Sequence, residues 1–226
     1  MGLTPSLTRV SPCQLATFTW KPDTNRVPHT IAIVSAVLVH AWFLADRWPR
    51  EVVFIPAGII VFLTIHHDLK HRAWGFDPRA LMPGLLRALP VTLLLCVVIL
   101  AIGAALGTLH DRRDFLGSLW PLIIWGGAQQ WVLQTLVLRE SQRATSRLTG
   151  IFLAALLFGV VHLPNPFLAP VTFGAALLWC WLYDRYPNIL PLALSHALGT
   201  LAVLHAFDQD ITGRLRIGAA YLRLGE

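Results

Sequence analysis

Two histidines and three glutamines are the residues of this chain whose types and spacing could do chemistry. Gln129, Gln130 and Gln134 stand in the run Gln129-Gln130-Trp131-Val132-Leu133-Gln134. On a helix, positions four apart share a face, so Gln130 and Gln134 should sit one above the other. Phe158 precedes His162 by one helical turn, and Leu163-Pro164-Asn165-Pro166 follows. His196 and Thr200 repeat the four-residue spacing in Ser195-His196-Ala197-Leu198-Gly199-Thr200. An imidazole takes and returns a proton near neutral pH and can ligate a metal, whereas a carboxamide donates and accepts hydrogen bonds without taking a proton. His162 and His196 are therefore the candidate base or metal positions, and the glutamines are candidate hydrogen-bonding partners. The plainer reading is that glutamines glue apolar helices together and histidines fill polar positions in a bundle.

A second cluster, His66-His67-Asp68-Leu69-Lys70-His71, places His67 and His71 one turn apart, as metal ligands can be. A membrane di-iron oxygenase needs several such boxes, and the chain has this one. Cys13, Cys96 and Cys180 form no closely spaced pair, so neither a zinc ribbon nor a disulfide framework is implied. No cofactor is expected.

The elements that must position these residues are apolar helices. Of 226 residues, 55% are hydrophobic and 13% charged. A soluble domain carries about 25% charged residues. All 12 acidic residues fall between or beside apolar runs, the distribution that a hydrocarbon solvent enforces. The runs cover about 30–45, 52–67, 89–109, 118–138, 148–163, 167–184 and 189–206. A length of about 16–21 residues roughly spans a bilayer core of about 30 Å, and backbone in lipid must pair internally, so the runs should be helices. The expected architecture is an all-α polytopic transmembrane helix bundle of about seven spans. A polar segment, 1–28, precedes the bundle of 29–206, and a tail, 207–226, follows and is expected to lie on the surface. Segment 68–88, with Trp74, Phe76 and Leu81 among Lys70, Arg72, Arg79 and Arg87, reads as an interfacial amphipathic stretch. The opening Met1-Gly2-Leu3-Thr4-Pro5-Ser6 matches a loose myristoylation pattern, which we discount because nothing else supports it.

The net charge of +6 is explained by basic loops flanking membrane helices. No basic run with interleaved aromatics suggests nucleic acid, and none is expected as a partner. With seven spans, 11 of the 18 Lys and Arg fall on the side of the N-terminus. The positive-inside rule then makes that side cytoplasmic. An integral protein of a bacterial inner membrane is the expected setting, with the lipid bilayer as its first partner.

Taken together, Phe158-x-x-x-His162 with Asn165-Pro166 resembles the second motif of the CPBP family. These are the CAAX-prenyl-protease and bacteriocin-processing intramembrane proteases, formerly called Abi. The stretch from Leu182-Tyr183-Asp184-Arg185 to His196 is similar to the approach to that family's third motif. The resemblance covers about 118–206 and implies the CPBP intramembrane protease fold. It also implies a water-activating glutamate, assisted by histidines and an asparagine. The family's first motif is Glu-Glu-x-x-x-Arg, and the matching positions here hold Gln129, Gln130 and Gln134. Thr200 stands where the third motif ordinarily has Asn.

A carboxylate can act as a general base and a carboxamide cannot. Loss of both acids together with the arginine is coherent, since removing one partner of a buried ion pair strands the other. No acidic residue falls in the middle of a run; Glu140 lies ten residues beyond Gln130, about 15 Å along a helix. The resemblance therefore implies a non-catalytic membrane scaffold, binding or assembly subunit. It would keep a polar cavity lined by Gln129, Gln130, Gln134, His162, His196 and Thr200 and hold another membrane protein. The alternative is an active intramembrane endopeptidase, or other chemistry built on His162 and His196. Transport has little support, because no charge inside a run marks an ion path.

Overall fold

A computed structural model describes residues 27–44, 54–71, 74–110 and 115–225. Most of the polar segment 1–28 lies outside the described residues, as does the myristoylation pattern. Within the described residues the chain is helical, apart from connecting turns and an isolated bridge between Phe76 and Asn188. Helix α1 (Val27–Val39) runs into a wider π turn, His40–Leu44, and α2 covers Phe54–His71. Then follow α3 (Pro78–Leu106), α4 (Phe115–Trp131) with a π stretch at Val132–Leu138, and α5 (Arg139–Ala144). The last long helices are α6 (Arg147–Val161), α7 (Leu168–Arg185) and α8 (Ile189–Ala206). Two of these, α3 and α8, are long and apolar enough to cross a membrane.

The interfacial stretch expected at 68–88 is not a unit. Its second half forms the first three turns of α3. Asp77 accepts the amide of Arg79 at 2.9 Å, and Pro78 occupies the first turn, where its missing N–H costs nothing. Pro83 and Pro90 lie within the helix without ending it. Arg79 and Arg87, with the basic residues before them, interrupt the apolar pattern at this start. The loop before α3 is tied to the start of α8: Asp77 N–H donates to Pro187 O at 3.1 Å, and Ile189 N–H to Gly75 O at 2.9 Å.

Helix α3 shows why its two sides differ. Ala80, Gly84, Ala88, Thr92 and Gly103 are buried, while Leu93, Leu94, Val97, Val98 and Ile102 are exposed. The small side admits α8 closely. A β-carbon on Gly103 would stand 2.3 Å from the carbonyl oxygen of Ala206, so only glycine fits this crossing. Helix α8 packs on both α3 and α4, and α6 on α7. The core gathers Leu133, Leu138, Ile151, Trp179, Tyr183 and Leu192, among others.

The tail does not simply lie on the surface. After α8 it forms a short helix, α9 (Gln209–Thr212), a tight turn at Gly213–Leu215 and α10 (Gly218–Leu222). Asn165, fully buried, fastens it. Asn165 Nδ2 donates to the carbonyls of Thr212 and Arg216, both at 2.9 Å. Asn165 Oδ1 accepts the amides of Phe167 at 3.0 Å and Leu168 at 2.9 Å. The amide of Gly218 adds a bond to Leu163 O at 2.9 Å. Gly213, Arg214 and Leu215 all adopt left-handed backbone, with φ of 58°, 52° and 54°. For residues with a β-carbon that costs about 1–2 kcal/mol each, so the clasp around Asn165 must hold Arg214 and Leu215 there. These contacts join residues about 50 apart in sequence, which is why local patterns did not reveal them.

Candidate functional site

Gln130 and Gln134 face the protein interior from the junction of α4 and its π stretch, and both are fully buried. As their spacing predicted, they meet: Gln134 Nε2 donates to Gln130 Oε1 at 2.9 Å. Gln130 Nε2 then points at His196 Nδ1, 3.4 Å away. Gln134 Oε1 is a buried oxygen with no hydrogen-bond partner. The π stretch widens the helix where six of its seven residues, from Leu133 to Leu138, are buried. Such one-turn widenings recur at functional sites.

His162 is placed by the end of α6. It caps the helix, and its Nδ1 lies 2.7 Å from Phe158 O, one turn back. A carbonyl only accepts, so Nδ1 carries the proton in that bond, and the neutral ring keeps its lone pair on Nε2. Phe158 stacks obliquely on the same ring, with centroids 4.9 Å apart.

His196 lies in α8 against the small residue Gly126 of α4, where an added β-carbon would meet the imidazole Cγ at 3.1 Å. Its other face stacks on Trp179 of α7, with centroids 4.7 Å apart and planes 19° apart. Phe158 meets the His196 ring edge-on at 6.4 Å, so one phenyl ring touches both imidazoles. Trp179 is itself oriented by a directed relay. Its Nε1–H donates to Ser195 Oγ at 3.0 Å, and Ser195 and Thr92 share a hydrogen bond of 2.6 Å. Thr92 Oγ1 donates to Ala88 O at 2.8 Å, which makes Ser195 the donor to Thr92. Every polar atom in this relay is satisfied, as burial requires.

These side chains border a cavity of about 640 Å³ between α3, α4, α7 and α8. His162, His196, Gln129 and Thr200 line it, so His196 and Thr200 do share a face. Gln130 and Gln134 do not line it. They stand behind the wall, because their amides are turned toward each other and toward His196. Most of the lining is apolar, including Leu95, Ile99, Leu122, Leu178 and Val203, and among the described residues none with a charged side chain lines it. Leu215 and Ile217 of the tail close one side.

Three residues of this site escaped the sequence reading. Ser195 stands beside His196 in the chain, and that adjacency was the available signal. Thr92 and Trp179 lie on other helices and had none.

The charged groups collect elsewhere. Asp184, at the end of α7, accepts Gln142 Nε2 at 2.8 Å and pairs with Arg147. Arg139 Nη1 lies 3.8 Å away and its guanidinium sits over the Tyr183 ring. Buried Glu140 pairs with Arg143. None of these residues lines the cavity.

The other candidate cluster is partly outside view, since the side chains of His67, Asp68 and His71 fall outside the described residues. His66 stacks on Phe62, with centroids 6.4 Å apart. Among the described residues, no group of three or more His, Cys, Asp or Glu side chains is gathered where a metal ion could sit.

No curated protein and no solved structure matches the chain. A family model does, described as type II CAAX prenyl endopeptidase Rce1-like, over residues 115–202. That stretch starts with α4 and ends within α8, and holds Gln129, Gln130, Gln134, Phe158, His162, His196 and Thr200. Over 115–202, the stretch that brings both histidine motifs onto one cavity wall, the chain is similar to the Rce1-like type II CAAX prenyl endopeptidases.

Proposed function

We propose that this chain is an integral membrane protein that has kept the CPBP-type bundle without its hydrolytic chemistry, and that it serves as a binding or assembly subunit. The observation that carries the reading is the uncharged cavity. Gln129 stands at its wall and Gln130 behind it, where the family's motif has glutamates. Gln134 stands in place of the arginine, spending its amide on Gln130. A carboxamide does not accept the proton of an attacking water, and among the described residues no carboxylate lines the cavity. The exposed leucines and valines of α3 support residence in lipid, and α3 and α8 are long and apolar enough to cross it. The excess of Lys and Arg on one side supports a cytoplasmic N-terminus in a bacterial inner membrane. The partner would be another membrane protein.

The test is peptide hydrolysis by the full chain in proteoliposomes, using a fluorogenic peptide with a prenylated cysteine. We expect no cleavage above that of empty vesicles. Cleavage that disappears in His162→Ala would overturn the reading. It would favour the second one, in which the lone pair on His162 Nε2 serves as the base. Native mass spectrometry after mild detergent extraction should find a stoichiometric membrane partner.

A further inference from the structure

The cavity wall has a chemical preference that can be read from its atoms. It is large enough for a drug-sized molecule, at about 640 Å³. Its lining is mostly hydrocarbon and, among the described residues, holds no charged side chain. Three of its lining residues are also exposed apolar side chains: Leu95 of α3, Trp125 of α4 and Val171 of α7. An opening edged by exposed apolar side chains communicates with lipid rather than with water.

Within that apolar space two imidazoles offer opposite valences. His162 gives its Nδ1–H to Phe158 O and keeps an acceptor at Nε2. His196 has Nδ1 turned to the Gln130 amide, so its proton resides on Nε2 as a donor. The hydroxyl of Ser195 is consumed by Trp179 and Thr92, and Thr172 donates to Leu168 O at 2.7 Å, which leaves Gln129 and Thr200 as the polar wall residues beside the two imidazoles. One acceptor and one donor, on rings that share Phe158 as a neighbour, match a head group that donates and accepts at once. A hydroxyl is the smallest such group.

We propose that the cavity binds a neutral long-chain alcohol drawn laterally from the bilayer, its hydroxyl between His162 and His196 and its chain along α7 and α8. The inference rests on the non-catalytic reading of the cavity. A permanently charged head would find no counter-ion on the wall and would be excluded.

Two glycines make the proposal testable without disturbing the packing. Gly174 and Gly199 line the cavity, and a β-carbon on either meets nothing within 4 Å. Gly174→Leu and Gly199→Leu should therefore fill the cavity in a folded protein. The full chain in lipid nanodiscs would be irradiated with a diazirine-bearing hexadecanol, and the labelled residues located by mass spectrometry. Matched probes would carry a sulfonate or a trimethylammonium head. We expect the alcohol to label α7 and α8 around Gly174–Leu178 and Gly199–Val203, and both filling variants to lose that labelling. The charged probes should label these segments on the order of a hundredfold less, as the cost of an unpaired charge in an apolar site requires. Labelling spread over the outer face of α3 and indifferent to the filling variants would overturn the proposal. So would equal labelling by the sulfonate. The peptide assay is independent: cleavage would refute the non-catalytic reading whatever the labelling, and failed labelling without cleavage would refute the ligand class alone.

Discussion

The cavity and the region around Asp184 both draw on α6 and α7, yet they satisfy their polar groups in different ways. At the ends of α5 and α7, carboxylates and guanidiniums meet directly, with Gln142 completing the shell around Asp184. At the cavity, hydroxyls, amides, an indole and imidazoles form neutral relays: Trp179 to Ser195 to Thr92, and Gln134 to Gln130 to His196. The contrast teaches that this fold can hold buried charge where it has partners for it. The neutrality of the cavity is thus a property of that site and not of the whole chain.

Four substitutions would sharpen or break that contrast, and the largest effect is expected at the charged end. Asp184→Ala removes the acceptor shared by Gln142, Arg147 and Arg139 and should lower unfolding stability by about 3 kcal/mol, moderated because the arginines can turn to water. Denaturant titration in mixed micelles would measure it, and a loss within error would mean that the ion pairs are ornamental. Thr200→Lys puts a charge on the neutral wall and should cost about 2 kcal/mol. If stability is unchanged, the cavity is wet and the contrast fails.

Ser195→Ala strands the Trp179 indole N–H and should cost about 1–2 kcal/mol, together with a change in near-ultraviolet circular dichroism as the indole loses its fixed orientation. An unaltered spectrum would show that stacking on His196 alone orients the ring. Gln134→Leu should fall within about 1 kcal/mol of neutral, since it loses one amide bond but also removes the unpartnered Oε1. A large loss would reveal that this oxygen has a partner, such as a bound water, and that the neutral relay is more extensive.

Much of the helical framework was legible, because lipid-compatible helices declare themselves as long apolar runs. The start of α3 was not, since Arg79 and Arg87 break the apolar run while the Asp77-Pro78 cap is a short signal. At the site, the four-residue spacing correctly paired Gln130 with Gln134 and His196 with Thr200. It could not say which way each pair faced, and the glutamines turned out to stand behind the wall. Orientation around a helix depends on what packs opposite it, and the π stretch shifts that orientation further. Thr92 was invisible because its role is fixed by Ser195, on a helix about a hundred residues later.

Asn165 has a consequence for handling and for regulation alike. It stands three residues after His162 and grips the tail through the carbonyls of Thr212 and Arg216. A pull on the C-terminus, by a fused domain or a bound neighbour, is thereby delivered to the loop that carries an imidazole of the cavity. The tail works as a leash on His162.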